Sequence, residues 1–453
     1  MRRLPIVLSA AVGLIVLATI AIDAGLLEIP GAATTGPVAA ASSAPSSSAS
    51  SSASSAPSST PPPSSTPVPT PGATGPRPTA GPYIATDIER PDLVTRLQEA
   101  LDEGRVALAA PGIQASVTFA DGRHWTGVSG VADLATGRAL TLDTPFAIAS
   151  ASKTFLAAEV LLLVDAGLLS LDDAPARLLP TTLVAGAPID PQITVRMLLD
   201  HTSGLGDYLT SRSLDEAVQA DPLAVWTPAQ SLAHVGPTAG QPGQGYHYAN
   251  TNYVLLGMIV EQITGRTLAE EFRARFFDPL GLSSASYQGA EPPAVELPTA
   301  YRYSSVRLDA KPQDVTDGSD IRPFTSITTA AGAAGSVAAS ARDLAHWARV
   351  LYGGRVLPPD LLELMVGDAA VTQTLDPPFP YGLGVQVFTI DGRISYGHSG
   401  RLVGARSVVR WFPDEGIAIA IVTNESRFDT TPILREMLSI VAPREIGSDL
   451  PPG

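Results

Sequence analysis

The stretch Phe146-Ala147-Ile148-Ala149-Ser150-Ala151-Ser152-Lys153-Thr154-Phe155 puts a hydroxyl and an amine three residues apart, at the head of an apolar run. Phe155, Leu156, Val160, Leu161, Leu163 and Val164 follow before Gly167, which predicts a buried helix starting near Ser150. On such a helix positions i and i+3 share a face, so the amine of Lys153 falls within reach of the Ser150 hydroxyl. A serine becomes a nucleophile when a neighbouring base takes its proton, and a desolvated lysine is such a base. Unpaired N–H groups at the helix start favour negative charge developing there. Ser-x-x-Lys recurs by chance, but lysine is scarce in this chain, which holds only Lys153 and Lys311. Arginine keeps its proton inside proteins, so a lysine here indicates a task that arginine cannot perform.

A serine hydrolase also needs a second proton carrier, an anchor for the substrate amide and an oxyanion hole. Tyr248-Ala249-Asn250 fits the first two, because a tyrosinate beside a cation can act as a base and a carboxamide can both donate and accept. The competing reading is a helix cap, with Asn250 or Thr251 opening the helix that follows. His398-Ser399-Gly400 sits at the end of a predicted short strand. Its glycine would admit a substrate to the strand edge, and the N–H of Arg401 would point at an oxyanion. His398 and Ser399 would offer hydrogen bonds or positive charge to an acidic substrate end. His201 and His234 read as structural, and the histidines as a set show no metal-ligand spacing. No Gly-x-Ser-x-Gly elbow is present.

The chain has 453 residues, is 45% hydrophobic and carries a formal net charge of −15, which argues against a nucleic-acid partner. Residues 1–30 read as a membrane anchor or signal segment: Arg2 and Arg3 precede an uncharged run from Leu4 to Ile22, about 28 Å long as a helix. Residues 31–83 read as a Ser/Pro/Ala-rich linker that cannot bury enough surface to order itself. Residues 84–443 read as the folded hydrolase and 444–453 as a tail. The body contains no cysteine and must be stable without disulfides.

Within the body a helix is expected over Asp92–Val106, with Leu93, Leu97, Leu101 and Val94 inward. A half-buried strand follows at Ile113–Phe119, and a second at His124–Val128. A short helix ending in a glycine turn is expected over Thr194–Leu205, and longer ones at Val254–Ile263, Leu268–Phe277, Ala341–Leu351 and Thr431–Val441. Late strands are expected at Tyr381–Ile390, Arg393–Gly397, Arg406–Phe412 and Ile417–Thr423. Strands at both ends with helices between predict an α+β fold: one antiparallel sheet assembled from both termini and flanked by helices, plus a largely helical second subdomain.

Ser150-x-x-Lys153, Tyr248-x-Asn250 and His398-x-Gly400, in that order, resemble the serine β-lactamase/penicillin-binding protein superfamily. The branch most resembled holds class C β-lactamases, D-alanyl-D-alanine carboxypeptidases and related esterases. Leu198-Leu199-Asp200-His201-Thr202-Ser203-Gly204-Leu205 and Ala334-Gly335-Ser336-Val337 are similar to the same branch. The resemblance implies a β-lactamase/transpeptidase-like fold and Ser150 as the acylated nucleophile, with Lys153 and Tyr248 handling its proton. It further implies Asn250 on the acyl-side amide, and the N–H groups of Ser150 and Arg401 as oxyanion hole. Class C β-lactamases carry Lys-Thr-Gly where this chain has His398-Ser399-Gly400, and a histidine-led triplet is more similar to D-alanyl-D-alanine carboxypeptidases. The expected substrate is a D-alanyl peptide, with a β-lactam or an ester as alternatives. A penicillin-recognising receptor without turnover is the expectation from a different class. No metal or organic cofactor is implied.

Overall fold

Ile113, Ala115 and Val117 alternate with Gln114, Ser116 and Thr118 along the first strand, and this alternation sets two different cores on the two faces of the sheet. The computed structural model describes residues 90–181, 189–305, 307 and 310–443, all within one compact unit. The apolar segment Leu4–Ile22, the 31–83 linker and the 444–453 tail lie outside the described residues. Among the described residues no helix is long and apolar enough to cross a membrane.

The chain runs α1 (Pro91–Leu108), β1 (Gly112–Phe119) and β2 (His124–Gly130), then a 3₁₀ turn Ala149–Ser152 leading into α2 (Lys153–Asp165). Next come α3 (Asn250–Thr264), α4 (Ala341–Val350), β3 (Gln386–Ile390), β4 (Arg393–Leu402), β5 (Ala405–Phe412), β6 (Ile417–Thr423) and α5 (Thr431–Val441), with shorter helices between. The six strands form one antiparallel sheet in the order β2-β1-β6-β5-β4-β3. Its centre joins the N-terminal hairpin to the C-terminal strands, as Ile113 opposite Thr423 shows. One face packs on α1 and α5 through Leu97, Leu101, Leu434 and Met437; the other packs on α4 and the helical region around α2 and α3.

The fold is the expected α+β arrangement, with four local differences. β1 is buried on both faces, because α4 covers the polar one: the amide of Gln114 accepts from the N–H of Ala341 (2.6 Å) and donates to the carbonyl of Thr141 (2.9 Å). Val94 faces outward, 36% exposed, since the inward stripe of α1 follows Leu93, Leu97 and Leu101. The helix from Leu268 is α-helical only to Phe272 and continues as a π-turn over Arg273–Phe277. Tyr381–Val385 is a loop, not a strand, because Gly384 takes φ +78° and lies against α2.

α2 is buried from Lys153 to Leu163 on every side, so it is a central helix and not an amphipathic one. Phe155 stacks on Trp347 with ring centroids 4.1 Å apart, and the Trp347 indole N–H donates to Thr154 Oγ1 (2.8 Å). The head of α2 is thereby fixed against α4.

Candidate active site

The turn before α2 is held by three hydrogen bonds, two to Val337 and one to Ser407. The N–H of Ile148 donates to the carbonyl of Val337 (3.0 Å), and the N–H of Val337 donates to Ser152 Oγ (3.0 Å). Ser407 Oγ on β5 donates to the carbonyl of Ile148 (2.7 Å). Between Ile148 and Ser150, Ala149 is forced to φ +49°, a left-handed conformation that costs a non-glycine residue of order 1 kcal/mol. Ser150 is half-buried at this strained corner, two residues past Ile148, whose carbonyl is pinned.

Gly400 explains how β4 reaches the turn. A Cβ on it would overlap the carbonyl oxygen of Ile148 and crowd Ser407 Oγ. The glycine is thus needed for close packing of the protein on itself, where the sequence suggested approach of a substrate.

Lys153 is fully buried, with Nζ 3.2 Å from Ser150 Oγ, 2.8 Å from Asn250 Oδ1 and 2.8 Å from the carbonyl oxygen of Ala334. An ammonium has three donors, and all three are used here. Burial pulls the Lys153 pKa down from 10.5 to about 7, against a smaller opposing pull from the Asp207 carboxylate. When the ammonium loses a proton, two N–H bonds and one lone pair remain. Asn250 Oδ1 and the Ala334 carbonyl can only accept, so they retain the two N–H groups and the lone pair is left facing the Ser150 hydroxyl.

Asn250 opens α3 without capping it: the N-cap is Ala249 and no side chain caps the helix. The helix-cap alternative is thereby set aside. Its amide orientation is fixed by Asp207, whose Oδ2 accepts from Asn250 Nδ2 (3.0 Å) while Oδ1 accepts from the Asn250 backbone N–H (3.1 Å). Burial pushes the Asp207 carboxyl up from its usual range, while the N–H donors and the Lys153 charge hold it down.

Tyr248 lies with its ring centroid 5.1 Å from Lys153 Nζ and 4.1 Å from the ring of His201. His201 is buried at φ +63°, its Nδ1 accepting from the N–H of Ala249 (3.2 Å) and its carbonyl accepting from the N–H of His247 (2.8 Å). It braces the tyrosine loop from both sides, in keeping with its structural reading.

His398, Ser399, Gly400 and Arg401 lie within the ten-residue strand β4, where the sequence placed the triplet at a strand end. His398 is buried on the face toward Lys153. Its Nδ1 is 2.6 Å from the Ser399 carbonyl, which can only accept, so Nδ1 carries the proton and Nε2 accepts from Tyr381 Oη (2.9 Å). Burial, reinforced by Lys153, pushes its pKa from 6.5 down to about 3. The expectation that His398 supplies positive charge is therefore overturned: the ring is neutral and both nitrogens are engaged.

Ser399 and Arg401 alternate to the opposite face. The N–H of Ser399 donates to Gln386 Oε1 (3.0 Å) on the β3 side, so the N–H of Arg401, two residues on, points to that same edge. Pairing with β3 stops at Gln386–Gly397, which leaves residues 398–402 with an edge that no strand covers among the described residues. Among the described residues no cluster of histidines or carboxylates is arranged to hold a metal.

The structure brings Ser150, Lys153 and Asn250 into one hydrogen-bonded cluster, with Tyr248 and His398 around the lysine. Asp207, Tyr381 and Ser407 were missed in the sequence as site residues. Asp207 lies two residues beyond the Leu198–Leu205 stretch, and a lone carboxylate amid small and apolar residues was its one available signal. Ala334 opens a stretch noted for its resemblance, but the role of its carbonyl at Lys153 had no signal in the sequence.

A helical and β layered body with a Ser-x-x-Lys turn at its centre defines a class, and the comparisons agree with it. The family described as Beta-lactamase matches residues 96–440. Penicillin-binding protein 4 of Amycolatopsis lactamdurans is 33% identical over 358 residues, covering 76% of this chain and 89% of that protein. A D-aminopeptidase of Brucella anthropi is 31% identical over 285 residues, which span 62% of this chain and half of that protein. The crystal structure of a D-stereospecific amidohydrolase from Streptomyces sp. superposes with TM-score 0.63 at 29% identity, covering 75% of this chain and 97% of the other. The chain belongs to the beta-lactamase family, as a serine hydrolase of that family.

Proposed function

We propose that this protein is an extracytoplasmic serine peptidase of the D-alanyl-D-alanine carboxypeptidase type, working through an acyl-enzyme at Ser150. The observation that carries the chemistry is the buried Lys153 amine, 3.2 Å from Ser150 Oγ with a pKa near 7. As Ser150 Oγ bonds to the substrate carbonyl carbon, its proton passes to the neutral amine of Lys153. The negative oxygen of the tetrahedral intermediate sits between the N–H groups of Ser150 and Arg401. Tyr248, beside Lys153, relays the proton to the departing amine as the carbon–nitrogen bond breaks. Water then attacks the ester, returns a proton through the same groups and releases Ser150. Asn250 orients the acyl-side amide and Asp207 orients Asn250. We further infer that residues 1–30 export or anchor the chain, that residues 31–83 tether it, and that 84–443 form the hydrolase domain.

The neutral state of His398 favours a second reading. Without a cation at that position, a terminal carboxylate finds no charge partner in the His398 ring, so amides and esters lacking that carboxylate are also admitted. The D-aminopeptidase and D-stereospecific amidohydrolase among the similar proteins support this reading. Turnover of a D-Ala-D-Ala-terminated peptide, a D-amino-acid amide, a short-chain ester and a β-lactam by the 84–453 fragment separates the two. A peptide preference of tenfold or more supports the carboxypeptidase; equal or better turnover of the amide overturns it. Absence of covalent labelling of Ser150 by every acyl or phosphonyl probe removes the hydrolytic reading and leaves a receptor.

A further inference from the structure

Gln386 is the first residue of β3 and stands opposite Gly397, where pairing with β4 stops. The chain before it turns away from β4: the N–H of Gly384 donates to the carbonyl of Leu199 (3.2 Å), and Tyr381 folds back to bridge Gln386 itself. Among the described residues no ladder partner on this edge stands opposite Ser399, and the Gln386 side chain fills that place. Its Oε1 accepts the Ser399 N–H at 3.0 Å, where a paired strand would put a carbonyl oxygen. The Ser399 carbonyl is bonded as well, to His398 Nδ1.

This side chain is held in place. Gln386 is buried, and the guanidinium of Arg410 on β5 donates both to Oε1 (2.6 Å) and to the Gln386 main-chain carbonyl (3.3 Å). Arginine can only donate, which fixes the amide with its oxygen toward Arg410 and the Ser399 N–H and uses both lone pairs of that oxygen. Arg410 is buried in turn, its guanidinium 4.6 Å from the ring centroid of Phe388.

Arg401 is the next residue to present its N–H at this edge, about 6.8 Å further along β4. In the acyl-enzyme reading above, on which this inference rests, the scissile carbonyl oxygen lies at the N–H groups of Ser150 and Arg401. Every strand pairing of the sheet is antiparallel, and an extended substrate at this edge takes the side that β3 leaves. Running antiparallel to β4, it sets its acyl residue opposite Arg401, its first leaving residue opposite Gly400 and a second opposite Ser399. We propose that Gln386 limits the leaving group to one residue, because its side chain holds both the position and the N–H that a second leaving residue needs. Terminal peptide bonds, simple amides and small esters are accepted, and a bond with two or more residues beyond it is refused. The restriction applies to both substrate readings above and excludes release of a peptide tail.

Two esters test this: acyl-D-alanyl-D-lactate, and the same ester extended by glycine on the lactate carboxyl. Cleavage at the D-alanyl carbonyl releases lactate from the first and lactyl-glycine from the second, and an ester reports whether or not peptides are hydrolysed. In the unsubstituted chain kcat/KM for the short ester is expected to exceed that for the long one roughly 100-fold. Gln386→Ala frees the Ser399 N–H, and the ratio is expected to fall about tenfold. Gln386→Glu keeps an acceptor oxygen between Ser399 and Arg410 and keeps the ratio. Gln386→Ser, too short to reach that N–H, replaces the alanine variant should the latter fail to fold. A loss of packing alone would slow both esters together and leave the ratio in place. Equal rates in the unsubstituted chain overturn the proposal, as does a ratio that the short side chains leave unchanged. Labelling of Ser150 by an acyl probe separates this failure from that of the reading beneath it. A labelled chain with equal rates loses the stop and keeps the acyl-enzyme, and an unlabelled chain loses both.

Discussion

The head of α2 and the middle of β4 each bury a basic side chain in the same site, and the same physics gives them opposite roles. Lys153 starts from 10.5, and burial brings it to about 7, where the amine exchanges its proton readily. His398 starts from 6.5, and burial takes it to about 3, so the ring is neutral near pH 7. The lysine is given two obligate acceptors and a hydroxyl, so its lone pair has one destination. The histidine is given a carbonyl and a tyrosine hydroxyl, so its ring is locked as a spacer. Desolvation thus brings the stronger base to a pKa near 7, as the proposed proton carrier needs, and leaves the weaker one a neutral hydrogen-bonding strut.

The largest test of this contrast is Lys153→Arg. The charge survives but the guanidinium keeps its proton, so Ser150 acylation is expected to fall on the order of 10⁴-fold, measured by mass-spectrometric labelling with an acyl probe. Near-normal labelling would move the base to Tyr248.

Gly400→Ala attacks the contact that joins the two regions. The added Cβ drives β4 off the Ile148 carbonyl, and the Ser150 corner moves with it. Acylation is expected to fall roughly 100-fold, with a stability loss of about 1–3 kcal/mol by denaturant titration. An unchanged acylation rate would show that the nucleophile turn does not depend on β4.

The acylation rate should decline as pH falls through about 7, because protonation of Lys153 removes the lone pair. Asp207 raises the Lys153 pKa, so Asp207→Asn is expected to shift that acid limb to lower pH, read from a pH–rate profile. A limb that stays in place would make Asp207 merely structural. The smallest effect belongs to His398→Asn, with a rate loss of about fivefold from one weakened hydrogen bond and no movement of the limb. A displaced limb would show that His398 titrates after all.

Much of this arrangement was legible in the sequence, because it rests on local signals. The apolar run after Lys153, the turn residues between the late strands and the order of Ser150, Tyr248 and His398 gave the sheet, the central helix and the site cluster. What escaped depends on contacts across long separations. Gln114 and Ser116 look solvent-facing by alternation, and only the docking of α4 buries them. Tyr381 reads as a strand residue until the φ of Gly384 is known. The charge state of His398 could not be read from its neighbours in sequence, since Lys153, 245 positions away, and total burial determine it. Asp207 is invisible for the same reason: its partner Asn250 is 43 residues on.

The scarcity of lysine has a consequence for motion. Lys311 is exposed and Lys153 is sealed, so an amine-directed reagent meets Lys311 before Lys153. Modification of Lys153 can occur only during excursions in which the head of α2 parts from α3 and the Ala334 loop. The buried Lys153 amine is thus a built-in clock for breathing of the site, timed against Lys311 in the same molecule.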